Sequence, residues 1–112
     1  MGEKGAKNSQ DAAETCERSV QDLTPLGEVS SRKMFGGYGI FESSIMFALV
    51  NSQGDLFLKA DDTNRSRFEE AGSGQHGKMP YFQVPPDVMA DSDTLQEWAS
   101  ISIQIAHAAK KK

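Results

Sequence analysis

The segment SSRKMFGGYGIFESSIMFALVNSQGDLFLKA, residues 30–60, decides the fold. Its apolar residues come in runs too short for helices, separated by Gly, Ser, Asn and Gln. Ser30 to Met34 and Gly39 to Glu42 are expected as two strands. Ile45 to Val50 is a third, apolar on both faces and therefore central in a sheet. Asp55 to Ala60 is a fourth, with Leu56 and Leu58 facing opposite to Phe57. The links Ser43-Ser44 and Asn51-Ser52-Gln53-Gly54 are of hairpin length, so these strands pair antiparallel in chain order. Ser-Ser is a weaker turn signal than Asn-Gly.

Helices flank this block. Ahead of it, Ala12, Cys16, Val20 and Leu23 recur at helical spacing, with Asp11 and Glu14 placed for a capping box. Pro25 ends that helix near Leu23. Residues 1–10 are polar and are expected as a disordered tail, leaving 11–112 as a single domain. Beyond the block, a short helix is expected with Asp61 or Asp62 as cap, Phe68 and Ala71 facing inward, and Gly72 as its left-handed stop. Met79 to Val84 reads as the last strand. Pro80 has no N–H for a ladder, so the strand lies at an edge or starts at Tyr81. The final helix is expected from Asp93, with Gln96 completing a capping box. The expected architecture is α+β: two layers, with an antiparallel sheet of about five strands packed against N- and C-terminal helices.

The C-terminal helix is apolar around more than half its circumference, through Leu95, Trp98, Ala99, Ile101, Ile103, Ile105, Ala106 and Ala109. A stripe facing one sheet needs ~100° of arc. The excess is covered either by the first helix or by another chain, which makes a homodimer through this helix an expectation. Ser102 is expected to bond back to a carbonyl one turn earlier. His107 is expected on the polar face.

Composition limits function. The 112 residues are 38% hydrophobic and 25% charged, with a net charge of −4. This is ordinary globular composition. The three terminal lysines, Lys110 to Lys112, leave a still more acidic body, a poor match for the phosphate backbone. Direct nucleic-acid binding is not expected. The longest apolar run, Ile45 to Val50, is far short of a membrane span, and the N-terminus has no secretory core. One cysteine, Cys16, excludes an internal disulfide and a cysteine metal cluster, and a cytoplasmic location is expected. Cys16 lies on the apolar stripe and reads as a core residue rather than a nucleophile.

No chemistry-bearing frame emerges. The loop Gly72-Ser73-Gly74-Gln75-His76-Gly77-Lys78 fits both phosphate-loop spellings. Those loops need a strand before and a helix after, and here the order is reversed. Met79 also stands where a magnesium-binding hydroxyl is required. His76 and His107 have no neighbours at ligand spacing. The carboxylate pairs Asp61-Asp62 and Glu69-Glu70 read as caps and solvated faces. No catalytic residue, metal or cofactor is expected. The cluster Gly36, Gly37 and Gly39 implies positive φ, a bulge or a close backbone approach between two strands. Arg32 is expected to point from the first strand toward a carboxylate or a carbonyl. The candidate binding residues are Arg32, Phe35, Gly36, Gly37, Tyr38 and Lys59. A pocket built from Arg32, Tyr38 and Lys59 would mean a small ligand or an enzyme, and a contiguous basic face would mean nucleic acid.

The run Leu26 to Phe41, with Arg32-Lys33-Met34-Phe35-Gly36-Gly37-Tyr38-Gly39 at its centre, resembles the opening signature of the TfoX (Sxy) N-terminal domain family. The similarity continues through Phe47 to Val50, Leu56 to Asp61, Met79 to Pro85, Leu95 and Trp98-Ala99. The chain reads as a stand-alone copy of that domain. The resemblance implies a two-layer domain, often paired as a dimer, with a regulatory role and no catalysis. It implies a protein partner, a transcription factor of the cyclic-AMP receptor type, and transcriptional control of the kind exerted by competence regulators.

Overall fold

A computed structural model of the chain describes residues 4–34 and 36–111. The elements run α1 (Lys4–Leu23), a 3-10 turn (Thr24–Leu26), β1 (Val29–Met34), β2 (Gly37–Glu42), β3 (Ile45–Val50), β4 (Leu56–Lys59), α2 (Arg65–Glu70), β5 (Tyr81–Gln83), α3 (Pro86–Met89) and α4 (Ser92–Lys111). The sheet is antiparallel throughout, in the order β1-β2-β3-β4-β5, with β3 central; the hairpin-length links set the order of β1 to β4, and β5 joins β4 after a longer connection through α2. α1 and α4 pack side by side on one face. The main core lies beneath them, around Leu23, Ile40, Phe47, Leu56, Leu58 and Leu95.

β3 is apolar on both faces because each face feeds an apolar cluster of its own. The register slips between Ile40 and Phe41, whose partners are Ala48 and Met46. The extra residue, Phe47, joins Ala48 in the helix-side core, while Met46 and Leu49 belong to the opposite face. The β2–β3 turn places both Ser43 and Ser44 at positive φ, 52° and 72°, as a two-residue hairpin turn of right-handed twist requires.

Several expectations are corrected. α1 starts at Lys4, not Asp11: the polar segment has no proline and holds good helix formers, so the helix extends past its apolar stripe and Asp11 lies within it rather than at its start. Residues 1–3 lie outside the described ones. α2 starts after Asn64, because the turn before it is closed locally. Asp61 Oδ1 accepts from the Thr63 N–H at 2.7 Å, and Asn64 Oδ1 accepts from the Asp61 N–H at 2.9 Å. Ala71 is exposed, while Phe68 is fully buried. Gly72 has φ 77°, as a left-handed stop should. β5 is shorter than expected and starts at Tyr81, after the proline. Pro86 opens a one-turn helix, α3, where its fixed φ suits a first helical position.

α4 starts at Ser92, and its cap is Asp91. Asp91 Oδ1 accepts from the Asp93 N–H at 3.1 Å, and Asp91 Oδ2 accepts from the Thr94 hydroxyl at 3.0 Å. Three of its polar side chains reach across the fold instead of bonding locally. Gln96 donates to the Asp22 carbonyl at 2.7 Å, which ties α4 to the end of α1. Ser102 is fully buried and donates to the Lys59 carbonyl at 2.7 Å, not to its own helix. His107 faces β2 and meets Glu42 Oε1 at 2.7 Å, so it is not on a solvated face. Polar groups withdrawn from water need partners, and the buried Ser102 and the half-buried Gln96 and His107 find theirs on elements far away in the chain.

Candidate functional site

The sheet has one face under helices and another that no described helix covers. The register gives the membership of the second face. Arg32 pairs with Gly39, Gly39 with Leu49, Leu49 with Phe57 and Phe57 with Gln83, forming a row across all five strands. Side chains alternate along each strand, so Met34, Phe41, Met46, Lys59 and Tyr81 share this side. Leu49, Phe57 and Tyr81 form a small buried cluster, with Met46 and Met79 packed against it. The loop from Gly72 to Met79 folds over its β4–β5 end. There the His76 ring meets Phe57 edge-on, with centroids 5.0 Å apart.

The β1–β3 end is more open. Met34, Phe41 and Met46 are half-buried, and they close over Gly39. A Cβ at Gly39 would meet the sulfurs of both methionines and the Phe41 ring, so the glycine lets the three side chains lie flat on the sheet. Gly37 is more tightly held: a Cβ there would run into the Val50 carbonyl. Gly36 takes the positive φ expected of this corner, 74°.

Two cations border this strip. The Arg32 guanidinium lies over the Phe41 ring, 5.2 Å from its centre, and not on a carboxylate or carbonyl. The Lys59 ammonium lies 5.5 Å from the centre of the Tyr81 ring. β1 and β4 are three strand spacings apart, about 14 Å. Tyr38 pairs with Lys33 and packs against the helix-side core, so it is on the other side of the sheet from Arg32 and Lys59. The three residues therefore do not line one pocket. Phe35 lies outside the described residues.

The sequence reading missed Met34, Phe41 and Met46. Alternation within residues 30–34 and 37–41 carries the signal, since Arg32 and Met34 share parity in one strand and Gly37, Gly39 and Phe41 share it in the next.

A second exposed apolar region lies along α4. Trp98 is covered by Phe68 edge-on at 5.0 Å and by the Arg67 guanidinium at 5.1 Å. Ile103 packs against the core. Ile101 and Ile105 remain half-exposed. A shallow groove of about 370 Å³ runs between Pro80, Ala60 and the α4 residues Ile105, Ala108 and Ala109. The first helix thus covers only part of the wide apolar arc.

Titratable groups are held structurally. The Ser43 hydroxyl, the Glu28 N–H and His107 all bond the Glu42 carboxylate, and together they hold it below the usual carboxylate range against the opposing effect of burial. Burial pushes the Cys16 thiol up, which makes it less reactive, as expected of a core cysteine. Among the described residues no three His, Cys, Asp or Glu side chains converge as metal ligands, and no helix is long and apolar enough to cross a membrane. The glycine loop after α2 leads into β5, the reverse of a phosphate loop.

Fold and surface together define a two-layer α+β domain with one sheet face left open and bordered by cations. Residues 21–106 match the TfoX N-terminal domain, and the chain belongs to that family. A curated relative is the DNA transformation protein TfoX1 of Aliivibrio fischeri, 39% identical over 56 residues. That stretch is 50% of this chain and 26% of the relative.

Proposed function

We propose that this chain is a non-enzymatic regulatory domain that works by binding proteins, and that its activity is linked to transcription. The observation that carries the reading is the open sheet face, where Met34, Phe41 and Met46 are half-exposed beside Arg32. Methionine's flexible thioether suits a surface that adapts to a partner. A transcription factor of the cyclic-AMP receptor type is the partner we propose, and the name of the relative, a DNA transformation protein, supports a role near DNA uptake. The half-exposed Ile101 and Ile105 edge of α4 is the surface we propose for pairing with a second copy. The separation of Tyr38 from Arg32 and Lys59 argues against a small-ligand or enzymatic role at those residues.

The test is transcript profiling of a strain lacking this gene, complemented with either the wild-type chain or the double variant Met34→Ser, Phe41→Ser. Both substitutions are on the open face, so the variant should fold, which circular dichroism checks. Deletion is expected to shift a defined set of transcripts. The wild type should restore them and the folded variant should not. An unchanged transcriptome on deletion, or full restoration by the variant, would overturn the reading.

A further inference from the structure

We infer that the open sheet face seats an acidic amphipathic helix of a partner protein. The inference rests on the protein-binding reading above and adds the chemistry of the partner. Three observations lead to it.

The first is the shape of the surface. A sheet with helices on one face and apolar side chains on the other lacks the second helical layer that commonly covers such a face. A helix laid there runs roughly along the strands. Its apolar stripe would meet Met34, Phe41 and Met46, which lie flat over Gly39.

The second is charge. Of the strand positions facing this way, the charged ones are Arg32 and Lys59, and both are cations. The chain as a whole carries −4. The strand positions of this face thus carry positive charge alone, on an acidic protein, and favour an acidic occupant.

The third is spacing. Arg32 is on β1 and Lys59 on β4, strands about 14 Å apart across the sheet, and their charged ends lie by the rings of Phe41 and Tyr81. A helix with its side chains is about 10–12 Å wide. A helix placed over β2 and β3 would bring one flank to each cation. Glu or Asp on both borders of its apolar stripe would then reach Arg32 on one side and Lys59 on the other. Both cations are already steadied over aromatic rings, at 5.2 and 5.5 Å, so less side-chain freedom is lost on pairing. A nucleic acid fits less well, because two cations neutralise few phosphates and the remainder of the body is acidic.

The experiment is fluorescence anisotropy on the full chain with two labelled peptides of about 27 Å helical length. Both carry the same leucine stripe. One has glutamates on both flanks, the other has lysines. A labelled oligothymidine is the third probe. The glutamate peptide is expected to bind at least tenfold more tightly than the lysine peptide, with affinity falling as salt rises. The double variant Arg32→Glu, Lys59→Glu should remove or reverse that preference while retaining the wild-type melting temperature to within a few degrees. Should the variant fail to fold, Arg32→Gln with Lys59→Gln keeps the test open, with loss of the preference expected. Failure of the glutamate peptide to bind, equal binding of the two peptides, or tighter binding of oligothymidine would overturn the inference. These results leave the transcript test untouched, since its variant keeps both cations and removes only apolar side chains.

Discussion

Gly37→Ala should lower the unfolding free energy by about 3 kcal/mol, near the upper end of the usual cost of overpacking. The added Cβ is directed at the Val50 carbonyl on the neighbouring strand. That oxygen belongs to the ladder and cannot rotate away as a side chain would. β2 and β3 must separate locally, and the pairing of Tyr38 with Val50 is disturbed with them. Gly36→Ala makes the contrast. Gly36 has open space around it but a φ of 74°, so the cost there is only the left-handed conformation, about 1 kcal/mol. Urea denaturation of the two variants should show the Gly37 midpoint falling well below the Gly36 midpoint. The opposite order would mean that the β2–β3 pairing is not as described.

The second large effect is expected at α2. Phe68 is fully buried, stacks on Phe82 at 5.7 Å and meets Trp98 edge-on at 5.0 Å. It is the buried side chain that anchors this short helix to the core. Phe68→Ala should cost about 3–5 kcal/mol, from lost transfer energy and the cavity left behind. For a domain whose whole stability is of order 5–15 kcal/mol, that is a large part of the total. Trp98, the single tryptophan, reports the change directly, because its ring loses a neighbour. A fall of under ~1 kcal/mol with unchanged tryptophan emission would show that α2 is not docked there.

Features that depend on neighbours in the chain were legible in the sequence. The order of the first four strands followed from link lengths, the end of α1 from Pro25, the start of β5 from Pro80 and the stop of α2 from Gly72, whereas the place of β5 beside β4 did not. What was not legible depends on distant partners. Ser102 and Lys59 are 43 residues apart, His107 and Glu42 are 65 apart, and Gln96 and Asp22 are 74 apart. No local rule favours such pairs over the helix's own carbonyls, which is why Ser102 was expected to bond backwards. The bulge at Phe47 was hidden for another reason. In a strand apolar on both faces, alternation carries no register information, so one extra residue leaves no mark.

The candidate surface was half legible. Arg32, Gly37 and Lys59 were singled out and do lie on or beside the open face. Tyr38 was grouped with Arg32 and Lys59, although neighbouring strand residues point to opposite sides and Gly39, not Tyr38, pairs with Arg32. Once the pairing of Arg32 with Gly39 is known, Met34, Phe41 and Met46 fall into place as the apolar centre.

Site-specific photo-crosslinking in the native cell tests the central claim, that this domain acts through protein contacts on its open face. A photoreactive phenylalanine analogue replaces Met46 on the sheet, Ile105 on α4, or the exposed Glu97 as a control. Ultraviolet light should yield a discrete adduct with a different protein from position 46 and an adduct of twice the chain mass from position 105, with neither from position 97. No protein adduct from position 46, or adducts to nucleic acid there, would contradict the account.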